Sequence, residues 1–213
     1  MPTGGFMFDI LRSGGLLMIP IGLCAVSATF IIFERLYYFF SIKKRDTPLA
    51  SEVSRLIAAH RYEDAVSYCV NADTPAARVV KKAVECRTWP EDHIREAVSV
   101  ETDTVIPELE HFLTPLGTIA NISTLLGLLG TVTGNIQAFG LLGAGGSMGD
   151  PASLAGAIAE ALVTTAAGLV VSIPSVIFHN YFISRVNRRI TDIEAASTGV
   201  ILQLCGRTFP KEP

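Results

Sequence analysis

The groups best able to do chemistry in this chain sit where charge is otherwise absent. The stretch AIAEALVTTAAGLVVSIP is apolar enough to cross a bilayer, yet it carries one carboxylate, Glu160, near its start. A charge inside a membrane segment costs about 2.5–3.5 kcal/mol on insertion scales, so such a residue faces a bundle interior or an ion path by default. Hydroxyls accompany it. Thr124, Thr131 and Asn135 are spaced seven and four residues apart, around the charge-free stretch GLLGTVTGNIQAF. That spacing puts all three on one helical face. Thr165 and Ser172 are also seven apart, while Glu160 and Thr164 are four apart on a neighbouring face. A hydroxyl donates and accepts hydrogen bonds. It can hold water or partner a carboxyl group that gains and loses a proton, but it cannot store a proton itself; Glu160 can. A single membrane threonine commonly bonds a carbonyl of its own helix. Several of them beside a carboxylate read as a polar path.

Depth pairs two of the hydroxyls. If the earlier helix ends near Leu142, Thr131 lies roughly 16 Å below that end at the helical rise. If the later helix begins near Ser153, Thr165 lies roughly 18 Å below it. The two hydroxyls are then level and form one polar ring when several copies assemble, with Glu160 shallower. Small residues crowd both segments: Gly127, Gly130 and Gly134 in the first, Gly156, Ala157, Ala161, Ala166, Ala167 and Gly168 in the second. Gly130 and Gly134 form a GxxxG pair. In lipid, small residues let helix backbones approach and pack. His179, at the inner end of the later segment, reads as an interfacial residue.

The elements that position these groups follow from composition. The chain has 213 residues, 49% hydrophobic and 17% charged, against about 25% charged in a soluble domain. Outside residues 34–111 and 185–213 the only charged residues are Asp9, Arg12, Asp150 and Glu160. The expected fold is an all-α membrane protein with three transmembrane helices, long cytoplasmic helical extensions and a small helical cytoplasmic insert. Residues 1–13 form an outer-side N-terminal segment and 14–40 the first transmembrane helix. Residues 41–111 form the insert, 112–142 the second helix and 143–152 a Gly-rich outer turn. Residues 153–184 form the third helix and 185–213 a cytoplasmic C-terminal helix. Met1 to Arg12 lacks the basic start and cleavage site of a secretory signal, so the first segment reads as a retained membrane helix, with Pro20 a tolerated kink.

Lys and Arg set the orientation. Arg35, Lys43, Lys44 and Arg45 follow the first span, and Arg185, Arg188 and Arg189 follow the third. The turn between spans two and three has neither residue type. The insert and C-terminus are therefore expected in the cytoplasm and the N-terminus outside, with Phe33 and Tyr37 to Phe40 as an interfacial aromatic belt. Within the insert, SEVSRLIAAH, YEDAVSYCV and AARVVKKAVEC have helical apolar spacing. Pro48 and Pro75 lie near helix starts, and Thr88 to Glu91 reads as a break. From Asp92 the pattern is expected to run into the second span as one long helix, bent at Pro107 and Pro115. RVNRRITDIEAASTGVILQL is expected to continue the third span, with Val186, Ile190 and Ile193 apolar.

Several function classes lack support. A net charge of −3 supplies no basic field for nucleic acid. Cys24, Cys69, Cys86 and Cys205 have no ligand spacing and read as free thiols, with no metal site and no cofactor expected. Glu101, Asp103, Glu108 and Glu110 read as a solvated face. No nucleophile–base pair marks an enzyme.

FERL closing the first span, GLLGTV in the second, and AEALVTTAAGL followed by SIP in the third resemble the MotA/TolQ/ExbB proton-channel family. The three-span plan and modest insert are closer to ExbB and TolQ. The resemblance covers nearly the whole chain and is strongest over residues 125–180. It implies a homopentamer in the bacterial inner membrane, surrounding an ExbD- or TolR-like single-span partner dimer whose membrane Asp carries the proton. It implies use of the proton motive force to energise TonB-dependent transport or a Tol–Pal-like envelope process, through a TonB- or TolA-like protein. The family's pore threonines fall on Thr131 and Thr165, its membrane glutamate on Glu160, and its span-three proline on Pro174. Thr133, Asn135 and Gln137 depart from it, because ExbB-like chains often carry bulkier or apolar groups there. A membrane scaffold that only holds a partner, a stator of another motility or envelope machine, and a stand-alone channel remain alternatives. Residue types alone do not choose between proton and sodium.

Overall fold

The computed structural model describes residues 15–144 and 151–206. Among them every regular element is a helix: α1 (Met18–Asp46), α2 (Leu49–Ala58), α3 (Tyr62–Ala72), α4 (Pro75–Glu85), α5 (Glu91–Leu109), α6 (Leu113–Ala144) and α7 (Pro151–Leu204). The expected segment 1–13, most of the expected turn at 143–152, and residues 207–213 lie outside the described residues. α1, α6 and α7 each contain a stretch long and apolar enough to cross a membrane. The chain divides into two compact units, residues 1–34 with 112–181 and residues 35–111 with 182–213.

The first unit holds the early part of α1, all of α6 and α7 up to Tyr181. Its burial is inverted relative to a water-soluble bundle. Phe139 and Val170 are 72% and 71% exposed, whereas Ser123 and Ser175 are 0% and 1% exposed. Lipid solvates apolar side chains as well as other apolar side chains do, so packing rests on close backbone approach and on satisfying polar groups internally. α6 and α7 are antiparallel neighbours: Gly127 faces Thr165 and Gly168, Gly130 faces Thr164, and Gly134 faces Ala157 and Ala161. A Cβ on Gly168 would stand 2.5 Å from the Ser123 carbonyl oxygen and 2.9 Å from the Gly127 Cα. Both obstacles are backbone, so no side chain can swing aside. Gly127, Gly130, Gly134 and Gly168 are glycines at which the two helices meet. Pro174 lies inside α7 without ending it.

The second unit is built on α2 to α5, each packed on the next. Val53, Ala65, Ala77, Val80, Val84 and Val105 are fully buried there, and Phe182, Val186 and Ile193 of α7 are buried too. His60 and Asp73 take left-handed backbone, φ 56° and 45°, just after α2 and α3. Thr74 caps α4, its side chain accepting from the Ala77 amide at 3.2 Å, with Pro75 at the first helical position. This combination satisfies one orphan amide and needs no other there.

The expected long helix from Asp92 into the second span is not found. α5 ends at Leu109 and α6 begins at Leu113. Neither proline makes the break. Pro107 lies within the last turn of α5, and Pro115 in the first turn of α6, where a missing amide hydrogen costs nothing. Phe112 instead adopts φ 64°, rare for a bulky residue. A buried arginine answers for the released α5 carbonyls. Arg35, 2% exposed, donates from Nη1 to the carbonyls of Glu108 and Leu109 at 3.5 Å each. Its Nη2 lies 3.2 Å from His111 Nδ1, and its guanidinium sits 4.6 Å from the Tyr38 ring centre. A cation at a helix C-terminus also meets the negative end of the helix dipole. Tyr38 donates to Glu108 at 3.2 Å, and Arg78 pairs with the same carboxylate. Glu108 is therefore part of a tie between helices rather than a freely solvated charge.

Asp46 makes a second tie, 3.6 Å from Arg189. Its Oδ1 is buried with no partner among the described residues. Burial pushes the Asp46 carboxyl above its ordinary range, against the pull of Thr74 and Arg189, and Asp192 adds to the push.

Two outcomes are expected. Gly168→Ala should destabilise the protein by about 1–3 kcal/mol, the usual cost of overpacking, measured by thermal unfolding in detergent. Gly156→Ala, where a Cβ meets nothing within 4 Å, should not; equal losses in the two variants would refute the close-approach account. The raised Asp46 carboxyl binds its proton more tightly folded than unfolded, so stability should fall as pH rises from its ordinary 3.8 through the raised range. Wild type should thus lose stability relative to Asp46→Asn across that interval and run parallel above it. Parallel curves throughout would remove Asp46 as a titrating contributor.

Candidate functional site

The hydroxyl-bearing residues of α6 and α7 are placed by the glycine contact between these helices. Of the hydroxyls singled out in the sequence, two cross the helix pair. Thr124 donates to Ser172 Oγ at 2.7 Å, and Thr165 donates to the Gly127 carbonyl at 2.7 Å. Thr165 also lies 3.1 Å from the Ala161 carbonyl of its own helix. Its single proton serves one acceptor at a time, and the bond across the pair is the shorter. The absence of a side chain at Gly127 is what lets Thr165 reach that carbonyl. Thr131 stays at home, donating to the Leu128 carbonyl at 2.6 Å.

Thr131 lies one helical turn along α6 from Gly127, the residue that Thr165 contacts. From the bonded pair Thr124–Ser172, seven residues forward along α6 and seven back along the antiparallel α7 arrive at Thr131 and Thr165. Both lie on the flank marked by Thr124 and Ser172, because seven residues are close to two helical turns. Asn135, exposed, continues that flank one turn beyond Thr131. One side of the pair thus carries Thr124, Ser172, Thr131, Thr165 and Asn135 in a row.

Glu160 is not brought to that row. It lies five residues before Thr165, a rotation of about 140° around α7. Its neighbours are Thr164, which donates to the Glu160 carbonyl at 2.8 Å, and Thr133 and Gln137 of α6, which share a cavity with it. Thr133 is nine residues past Thr124, about 180° around α6. The Glu160 carboxylate also lies against the start of α1, for a Cβ on Gly15 would collide with its Oε1. Gly15 holds φ +65°, a left-handed conformation that glycine adopts without strain. The first amides of a helix have no partner within it and carry partial positive charge. At the start of α1 the amides of Met18, Ile19 and Ile21 donate to the carbonyls of Gly15, Leu16 and Leu17. A second contact that the sequence did not suggest places His179 on Gly117, whose added Cβ would stand 2.8 Å from His179 Nε2.

Sequence reasoning missed four participants. Ser123, fully buried, supplies the carbonyl against which Gly168 packs. Thr133 and Gln137 were noted only as departures from a pattern, although their four-residue spacing places them on one face. Arg35 was read as a flanking charge that orients the chain; the proximity of Tyr37 and Tyr38 was a hint of burial. Among the described residues no cluster of His, Cys, Asp or Glu could hold a metal ion.

The family model of the MotA/TolQ/ExbB proton channel family matches residues 71–195. An ExbB-like 3 biopolymer transport protein of Synechocystis sp. is 33% identical over 94% of this chain and 95% of its own length. The biopolymer transport protein ExbB of Aquifex aeolicus is 38% identical over 41% of this chain and 59% of its own. The Tol-Pal system protein TolQ of Haemophilus influenzae is 35% identical over 55% of this chain and 46% of its own.

The two kinds of threonine should separate in stability. Thr165→Val should cost about 0.6–1.7 kcal/mol, the range for hydrogen bonds between membrane helices. Thr131→Val should stay within about 0.5 kcal/mol, since its hydroxyl bonds only its own helix. Thermal unfolding in detergent reads both, and a loss at Thr131 as large as that at Thr165 would contradict the assigned bonds.

Proposed function

We propose that this chain, which belongs to the MotA/TolQ/ExbB proton channel family, is the channel-forming subunit of an ion-driven machine of the bacterial inner membrane. Several copies, five by the family resemblance, surround a single-span partner dimer of the ExbD or TolR kind. The flank bearing Thr131 and Thr165 faces that partner, whose membrane Asp loads and unloads protons against the hydroxyls. The chain itself carries out no covalent chemistry. Its insert and C-terminus lie in the cytoplasm and its N-terminus outside, as the Lys and Arg distribution favours. The work energises TonB-dependent transport or a Tol–Pal-like envelope process; one relative is named a biopolymer transport protein and another a Tol-Pal system protein.

The observation that carries this reading is the Thr124–Ser172 bond across the helix pair, whose flank Thr131, Thr165 and Asn135 share by helical periodicity. Symmetric copies turn such a row into a ring, and a ring of hydroxyls can relay or solvate an ion that a carboxyl on the axis carries. A scaffold reading has its own support. Thr124 and Thr165 hold α6 and α7 together through hydrogen bonds, and such bonds serve as glue whether or not ions pass.

Proton flux into proteoliposomes separates the two. Complexes of the chain with its single-span partner should conduct protons, the chain alone should not, and Thr131→Val/Thr165→Val complexes should lose about 100-fold, the low end of the weight of a positioned proton-transfer group. Retention of the partner on purification checks that the variant complex is intact. Undiminished flux in an intact double variant would move the path off this flank. No flux from intact wild-type complexes would favour the scaffold.

A further inference from the structure

Where α1 ends, the second unit holds a cavity of about 380 Å³. Three guanidinium groups of α7 line it, those of Arg185, Arg188 and Arg189. At three- and four-residue spacing from Arg185 they share one face of the helix. The wall also contains the starts of two helices. Leu49 and Ala50 are the first two residues of α2, and Ala76 is the second of α4. The first amides of a helix have no partner within it and carry partial positive charge. At α4, Thr74 answers the Ala77 amide. α2 follows Pro48, which offers no side-chain cap.

Two carboxylates offset part of this charge. Asp46 lies 3.6 Å from Arg189, and both side chains are largely buried. Asp192 lines the cavity too, four residues beyond Arg188, but no ion pair joins the two among the described residues. Three guanidiniums against two carboxylates leave one positive charge, to which the helix starts add. The lining therefore suits an anion. Guanidinium forks match the oxygens of a phosphate in pairs, and helix starts take the same group through their amides. A phosphate presents oxygens in several directions, toward guanidiniums and amides at once. Position adds a source. Arg185 is the first charged residue of α7 after Glu160. The helix between them is roughly 38 Å long, a little more than the hydrocarbon thickness of a bilayer. The arginines thus fall near the level of lipid headgroups.

We infer that this cavity is a binding site for a phosphate group, held by Arg185 and Arg188 with the first amides of α2, while Arg189 stays paired with Asp46. The group belongs either to the headgroup of an anionic lipid or to free phosphate in solution, and the recognition chemistry is the same for both. The site lies in the other unit from the Thr131–Thr165 row and stands whether or not that row conducts.

The test uses the full chain, purified with its partner. In the lipid arm the complex sits in nanodiscs of mixed phosphatidylcholine and phosphatidylglycerol, and native mass spectrometry reads the phosphatidylglycerol retained on release. In the free-phosphate arm, equilibrium binding of radioactive phosphate is measured in nanodiscs of phosphatidylcholine alone. Selective retention or saturable binding is expected in at least one arm, and the arm that shows it identifies the source. Arg188→Gln should weaken it about tenfold, the weight of one charge-assisted hydrogen bond, and Arg185→Gln/Arg188→Gln should abolish it. Arg188→Lys keeps the charge but not the fork and should fall between wild type and Arg188→Gln, which a mere failure to fold would not produce. Lys44→Gln/Arg45→Gln removes as much charge from residues outside the cavity and should leave binding unchanged. Binding in neither arm, binding indifferent to Arg185 and Arg188, or equal losses in the two double variants overturns the inference.

Discussion

The backbone of α7 at Gly168 rests against the backbone of α6 at Ser123 and Gly127, with no side chain between them. In an apolar solvent no hydrophobic force presses two helices together, so close approach and its dispersion contacts do that work. The contact decides more than stability. At this separation Thr165 reaches the Gly127 carbonyl and Thr124 reaches Ser172. A wider spacing would leave both hydroxyls to their own helices. The same approach splits the polar side chains into two groups, because whatever does not fit between the backbones must lie on one flank or the other.

Polar groups away from water recur as a constraint in both units, and each unit meets it differently. In the unit formed by α6, α7 and the start of α1, hydroxyls donate to carbonyls of their own helix or its neighbour, and Glu160 lies at the start of α1. In the other unit the carbonyls freed where α5 ends are met by Arg35, a full charge that is itself 2% exposed. A buried charge is tolerated when its hydrogen-bonding capacity is used. Arg35 spends its donors on two carbonyls and faces His111 and the Tyr38 ring. Asp46 is less well provided, with one oxygen unpartnered among the described residues, and its raised carboxyl follows from that deficit.

Membership of the MotA/TolQ/ExbB proton channel family makes ion movement the natural frame for these polar groups. Within that frame the two flanks need not share a task. The hydroxyl row has little charge of its own and suits a partner that brings the carboxyl. The Glu160 cavity is lined by that carboxylate with Thr133, Gln137 and Thr164. Thr133 and Gln137 belong to the second flank.

How much of this was legible in the sequence differs from group to group. Charge-free runs of membrane length, glycine spacing and the GLLGTV and AEALVTT motifs sufficed for the helical class, the three membrane-length helices and the family. Those features are local: they depend on hydropathy, on helical periodicity and on residues a few positions apart. The same periodicity put Thr124 with Thr131 and Thr165 with Ser172. It could not say which flank of α7 meets which flank of α6, since that depends on the rotation each helix takes when glycines seat against backbone. The sequence put Glu160 with Thr164 on a face next to that of Thr165, but only the packed helices show that this face turns toward Thr133, Gln137 and the start of α1. Nor could it place the break at Phe112. Prolines announce themselves in a sequence, but here the turn is held by Arg35, more than seventy residues away in the chain, and only the tertiary structure brings that guanidinium to the carbonyls it satisfies.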